Sequence, residues 1–242
     1  MIHAFFNPGQ TATFNEIAPR KDSTFEVHYF GIHGLGHSIR TILAVSGAKF
    51  TSVIPEDWAA EKPKKPFGLI PTLKETSADG KVLEIAEIDA ISRYLSRKFG
   101  YLGTNAFEAA VIDQFYSSSR SVHGAITTKY FDAKTPEAKA EVKTALMEHH
   151  IEAWLANHER HLADNGSNGH YLEEALSLAD FATASVVDLV NVLWGEDTIT
   201  EKKYPAVWKV YANIVRTPSY VAWTQTESYK TLTEGNRKVL GY

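Results

Sequence analysis

A tyrosine sits at the end of the aromatic and β-branched run FEVHYF (25–30), and His33 and His37 follow it in GIHGLGHS. A phenol in such a place can donate its hydrogen bond to a sulfur and favour thiolate over thiol. Free thiols titrate near about 8.5, so a downward shift of one or two units makes the thiolate dominant at neutral pH. His33 and His37 would add general acid or base groups, since histidine titrates close to neutrality. Their i, i+4 spacing also permits a metal ion, but no third ligand is evident and no metal is assigned. The chain has no cysteine. Disulfides, thiolate metal sites and a cysteine nucleophile are therefore excluded, and any thiol must come from a ligand. The bland alternatives are a buried strand tyrosine with a satisfied hydroxyl and a polar loop lined by histidines.

A second stretch, KPKKPFGLIPTLKE (62–75), sets prolines among lysines and runs straight into a strand-like segment. Proline removes a ladder donor and fixes φ, so it belongs at strand starts and edges. Pro71 placed directly against Thr72 and Leu73 reads as a tight turn that offers backbone groups to a ligand, with a cis peptide bond as one way to build it.

The elements that must position these residues follow from periodicity. FEVHYF is a strand, IRTILAVSG (39–47) a helix stopped by Gly47, and KFTSVI a second short strand. IPTLKE and KVLE form two strands around a turn at Asp79-Gly80, and EIDAISRYLSRKFG (87–100) is an amphipathic helix ending at Gly100. From about residue 105 nearly everything has helical period. Asn105 and Glu108 have capping-box spacing, Pro136 opens a helix that runs, broken or bent, toward Leu162, and Ser177-Leu178-Ala179-Asp180 is a second capping box. Pro205 and Pro218 punctuate two further helices. The pattern predicts an irregular extension over 1–24, an α/β domain over 25–101 and an all-α domain over 105–242.

The bulk properties narrow the function. With 242 residues, 44% hydrophobic and 22% charged, the chain reads as soluble and globular. Its 29 acidic and 25 basic residues give a net charge of −4 and no long basic run, which argues against a nucleic-acid binder. No apolar run approaches a membrane span, and the N-terminus lacks the pattern of a signal peptide, so a cytoplasmic location is expected.

Three stretches in this order, YFGIHGLGHSIR, then Trp58 with Lys62 and PFGLIP, then GKVLEIAEIDAISRYLSRKFG, resemble the cytosolic glutathione S-transferase superfamily and its sigma-like group. The resemblance covers about residues 25–228. It implies a thioredoxin-like α/β N-terminal domain plus an all-α C-terminal helical domain, the glutathione transferase fold. It also implies glutathione as cofactor, an apolar electrophilic small molecule as partner, and a homodimer.

Carried over residue by residue, the resemblance makes Tyr29 the catalytic tyrosine. Trp58 and Lys62 match the pair that holds the glycyl carboxylate, where an indole N–H and an ammonium both suit an anion. Pro71 matches a cis proline that turns the backbone of Ile70 toward the cysteinyl part of glutathione, a form of strand addition that needs no side chain. Glu87 lies where the family faces the γ-glutamyl end. The family's following serine is Ile88, which leaves only a backbone N–H at a helix N-terminus. Further departures are Leu35 for an arginine, Leu69 for a polar residue and Ser117 for an acidic one. Each lost charged hydrogen bond is worth about 1–3 kcal/mol, so weak glutathione binding or a remodelled thiol site is expected.

Tyr116, Ser117, Arg120, Ser121 and His123 on the first long helix, with Trp223, are placed as the electrophile pocket. His149, His150, His158 and His161 in EHHIEAWLANHERH read as a solvated helix face. The leading function is transfer of glutathione thiolate to an activated carbon. Two alternatives stand beside it: a glutathione-dependent cis–trans double-bond isomerase of secondary metabolism, and a non-catalytic module that keeps the fold for binding or interaction.

Overall fold

The computed structural model describes residues 11–166 and 168–240. The first ten residues of the expected extension, Ser167 of the loop ADNGSNG, and the last two residues lie outside the described residues. The chain divides into two compact units, 1–99 together with 217–242, and 100–216.

In the first unit, helix α1 (Thr11–Ile17) precedes strand β1 (Thr24–His28), helix α2 (Gly36–Val45), strand β2 (Lys49–Val53) and the short helix α3 (Trp58–Glu61). Strands β3 (Thr72–Thr76) and β4 (Val82–Ala86) and helix α4 (Ile88–Phe99) follow. The sheet has the order β2-β1-β3-β4, with β1 parallel to β2 and antiparallel to β3. Phe25 and Val27 of β1 lie opposite Glu75 and Leu73 of β3, and Leu73 lies opposite Ile85 of β4. Helices α2 and α4 pack on each other and on the sheet, burying Ile39, Ile42, Leu43, Ile91 and Leu95. Full burial of each such side chain stabilises by about 1.5–3 kcal/mol.

The segment expected to be an irregular extension is helical over 11–17, and its end is anchored. The Lys98 ammonium donates to the carbonyls of Ile17 and Ala18 at 3.0 and 3.1 Å and pairs with Glu75 at 2.8 Å. Tyr94 donates to the other Glu75 oxygen at 2.6 Å.

The second unit holds α5 (Ala106–Asp132), α6 (Pro136–Leu146), α7 (Glu152–Asp164), α8 (Leu178–Trp194) and α9 (Pro205–Val215). Asn105 caps α5 by accepting from Phe107 and Glu108, and Thr135 caps α6, with Pro136 at its first turn. The bend expected before Leu162 is a π-helical turn over Met147–Ile151 that joins α6 to α7. α8 is buried on nearly all sides against α5 and α9, which suits its apolar composition. The Ser177 N–H donates to Asp180 at 2.7 Å, as the capping box requires.

His158 departs from the solvated face expected for its helix. It is buried, with Nδ1 against the Tyr171 hydroxyl and Nε2 3.0 Å from Ser118. Burial drives it down to about 3, so it stays neutral inside this polar network.

The last two helices, α10 (Pro218–Thr224) and α11 (Glu227–Leu240), cluster with the first unit, whereas the sequence pattern assigns 217–242 to the helical domain. α10 packs on α2, and the Ser219 hydroxyl donates to the Val45 carbonyl at 3.2 Å. Helical periodicity fixes the type of these helices but not the surface on which they pack.

Candidate active site

Tyr29 directly follows β1, whose last residue His28 lies opposite Thr72, so the phenol and the Ile70–Pro71 turn share one end of adjacent strands. The Ile70–Pro71 peptide is cis. Tyr29 is buried, and the loop 31–36 wraps its ring. Gly34, at φ +38°, lies so close that an added β-carbon would stand 2.8 Å from the ring and 3.0 Å from the hydroxyl.

Burial raises the Tyr29 hydroxyl above its ordinary value, opposed by the backbone N–H of Leu35 and the positive charge of Arg40. The phenol is therefore protonated at neutral pH and able to donate. The two opposing groups offset part of the burial effect and favour negative charge near the oxygen. Leu35, where the family pattern has an arginine, serves here through its main chain.

Arg40, which closes the run YFGIHGLGHSIR, belongs to the site although no sequence motif marks it. Its side chain is fully buried, and its Nη1 donates to the carbonyls of Ile32 and His33 at 3.2 and 3.4 Å. Its Nε and Nη2 meet no acceptor among the described residues. Burial pulls it down to about 10, so it keeps its charge at neutral pH. An arginine on the apolar stripe of α2 was the available signal.

His33 and His37 do come together, but away from solvent. Both are buried, and their Nδ1 atoms lie 3.2 Å apart. His33 Nε2 is 3.0 Å from the Thr233 hydroxyl, and the His33 N–H donates to Asn236 at 3.0 Å. With both ring nitrogens engaged, His33 is built into the wall. Burial, with His37 and Arg40 adding to it, lowers His33 to about 2. Trp223 belongs to the same cluster: it stacks on His37 at 5.9 Å and meets Tyr229 edge-on at 4.8 Å. It is packed within the first unit, unlike the pocket-lining position expected of it.

Trp58 opens α3, capped by Asp57, and its ring meets Phe30 edge-on at 5.6 Å. Lys62 is exposed, with its stem against Gly68 and no carboxylate within ion-pair reach among the described residues. Glu87 is exposed at φ 70°, and its carbonyl accepts the first-turn N–H of Ile91. Ile88 is buried as the first residue of α4. Lys65 is likewise marked by no sequence motif: its ammonium lies 3.1 Å from His28 Nδ1 and 3.7 Å from Glu84, tying the prolyl loop to the sheet.

On α5 in the second unit, Tyr116 and His123 are buried, Arg120 is half-buried, and Ser117 and Ser121 are exposed, with the Ser121 hydroxyl on the Ser117 carbonyl. Among the described residues no group of three or more metal-ligating side chains is arranged to hold an ion.

The family described as "Glutathione S-transferase, C-terminal domain" matches residues 121–227. A glutathione S-transferase of Dirofilaria immitis is 30% identical over 174 residues, 70% of this chain and 78% of that one. Among solved structures, prostaglandin synthase D of Nilaparvata lugens superposes with a TM-score of 0.71 at 25% identity, covering 84% of this chain and 98% of that chain. A sigma class transferase of Fasciola hepatica shares the fold with a TM-score of 0.70 at 23% identity, over 84% and 95%. The α/β unit and helical unit expected from the sequence are thus the glutathione transferase fold.

Proposed function

The chain belongs to the glutathione S-transferase family, and we propose that it activates the thiolate of glutathione for attack on an electrophilic, conjugated small molecule. The observation that carries this reading is the buried Tyr29 at the end of β1, beside the strand end that holds the cis Ile70–Pro71 turn; burial keeps its hydroxyl protonated, with the Leu35 N–H and Arg40 opposing. Its O–H donates to the sulfur and stabilises the thiolate; the thiol proton goes to solvent. The thiolate forms an S–C bond at the electrophile while a leaving group departs with its electron pair, or a conjugated acceptor takes a proton at the neighbouring carbon.

Trp58 and Lys62 would hold the glycyl carboxylate, and the Ile70 main chain beside cis-Pro71 the cysteinyl backbone. Glu87 and the Ile88 N–H would meet the γ-glutamyl end, where the start of α4 favours an anion. Tyr116, Ser117, Arg120, Ser121 and His123 are the proposed electrophile contacts. His33 and His37 are assigned to holding the loop around Tyr29. Transfer is preferred to isomerisation because the curated relative is named a transferase.

A homodimer is proposed, supported by Phe67 and Leu69 at 59% and 56% exposure on the prolyl loop, an apolar pair that invites a partner. No helix among the described residues is long and apolar enough to cross a membrane, and a cytoplasmic location is proposed.

The test is mass spectrometry of products after incubation with glutathione and either an activated aryl chloride or a conjugated ketone. A glutathione adduct formed in proportion to enzyme is expected. A mass-neutral product would favour isomerisation, and no reaction above background with either class would overturn the proposal.

A further inference from the structure

All but the first residue of α11 lies beyond the residues 121–227 that match the family. Yet α11 is joined to the loop that wraps Tyr29. Asn236 accepts from the His33 N–H at 3.0 Å, and the Thr233 hydroxyl is 3.0 Å from His33 Nε2. The helix backbone comes closer still at Gly235, where an added β-carbon would fall 1.8 Å from the Gly31 carbonyl oxygen. From the α2 side the same loop is held by Arg40, through the carbonyls of Ile32 and His33, and by His37 and Ser38, which meet His33 Nδ1 and the Leu35 carbonyl.

We infer that α11 is a positioning element of the thiol site, with Asn236 and Thr233 setting the register of the 31–36 loop and thereby the Leu35 N–H and Arg40 charge that polarise Tyr29. This rests on the proposed role of Tyr29. Residues 31–35 lie in no helix or strand, so their path is fixed by what they are bonded to. His33 is two residues from Leu35, close enough for a shift at one to move the other. A buried guanidinium with two nitrogens already lacking acceptors holds the two hydrogen bonds of its third, Nη1, strongly, so the loop carbonyls and Arg40 move together. The charge acting on the phenol is Arg40 from α2, and the nearby titratable rings are the buried, neutral His33 and the buried His37 packed on it. Toward His33, α11 presents the neutral Thr233 and Asn236 and the Tyr229 ring, 4.6 Å from that of His33.

The full-length protein is titrated with glutathione bound, reading thiolate by its ultraviolet absorbance against pH, in Asn236→Ala, Gly235→Ala, Thr233→Val, Tyr29→Phe and Glu234→Ala. Asn236→Ala and Gly235→Ala should raise the bound-thiol pKa by about half to one unit and lower kcat about three- to tenfold below neutrality. The glutathione Kd should stay within about twofold, because the tripeptide contacts lie elsewhere. Thr233→Val, nearly isosteric and safe for folding, should shift the pKa the same way by less; Glu234→Ala, on the exposed face, should not shift it. Wild-type thiol pKa values in Asn236→Ala, Gly235→Ala and Thr233→Val, with Tyr29→Phe raised, would overturn this inference alone. A wild-type value in Tyr29→Phe would overturn the role of Tyr29 and this inference with it.

Discussion

Gly34 and Tyr29 are packed so closely that a β-carbon on Gly34 would stand 2.8 Å from the phenol ring, in a backbone of φ +38°. Two penalties follow for any side chain there, a left-handed conformation and a clash with the Tyr29 ring. Gly34→Ala should lose about 1–2 kcal/mol of stability in urea unfolding and about tenfold or more in kcat. Gly47→Ala separates the two effects, since Gly47 has φ +68° but nothing within 4 Å of an added β-carbon. It should lose stability and keep activity; equal activity losses at both positions would show that contact with Tyr29 is irrelevant.

Lys65 is the side chain that ties the prolyl loop to the sheet, through His28 and Glu84. Lys65→Met keeps the aliphatic stem and removes the tether. The loop carrying Trp58, Lys62 and Ile70 must then be ordered by the ligand itself, at the ligand's expense. Calorimetry should show glutathione affinity weakened about three- to tenfold. An unchanged affinity would mean that the loop is held by its prolines alone.

The Lys98–Glu75 pair is buried on both sides at 2.8 Å. Lys98→Met leaves a carboxylate uncompensated in the core, a loss of about 3–5 kcal/mol that equilibrium unfolding would read. Glu75→Gln together with Lys98→Met should recover part of it, because neither partner is then a stranded charge. A single variant within about 1 kcal/mol of wild type would refute this account of how α1 is anchored.

Strand, helix and cap signals were plain in the sequence because each is local. The β1 alternation at Phe25 and Val27, the Asn105 cap, the Pro136 start and the Ser177–Asp180 box all depend on spacings of four residues or fewer. The cis bond at Pro71 was expected from the resemblance and is present. What could not be read was long-range placement. Asn236 meets His33 across 203 positions, and nothing in ESYKTLTEGNRKVL announces a partner. For the same reason Trp223 was placed with α5 residues and is found instead among His37, Phe50 and Tyr229. His158 looked solvated because its helix is polar, yet one face of that helix is closed by Tyr171.

Buried neutral histidines make the fold acid-sensitive. His33 and His158 are lowered to about 2 and about 3 by burial, while an unfolded histidine takes up its proton near about 6.5. Below that pH the unfolded chain binds more protons than the folded one, so stability is full above about 6.5 and falls as pH drops. Each histidine contributes a slope of about 1.4 kcal/mol per pH unit until its folded value is reached. Guanidinium unfolding between neutrality and about pH 5 should show the decline, and a flat profile would contradict the burial of these rings.

The pKa of the glutathione thiol on the enzyme, compared between wild type and Tyr29→Phe, bears most closely on the proposed chemistry. The wild-type protein should hold the thiol about one to two units below its free value of about 8.5. Tyr29→Phe should return it to within about half a unit of the free value, with Kd changed less than about threefold. A thiol that titrates at the wild-type value in Tyr29→Phe would contradict the assignment of the phenol.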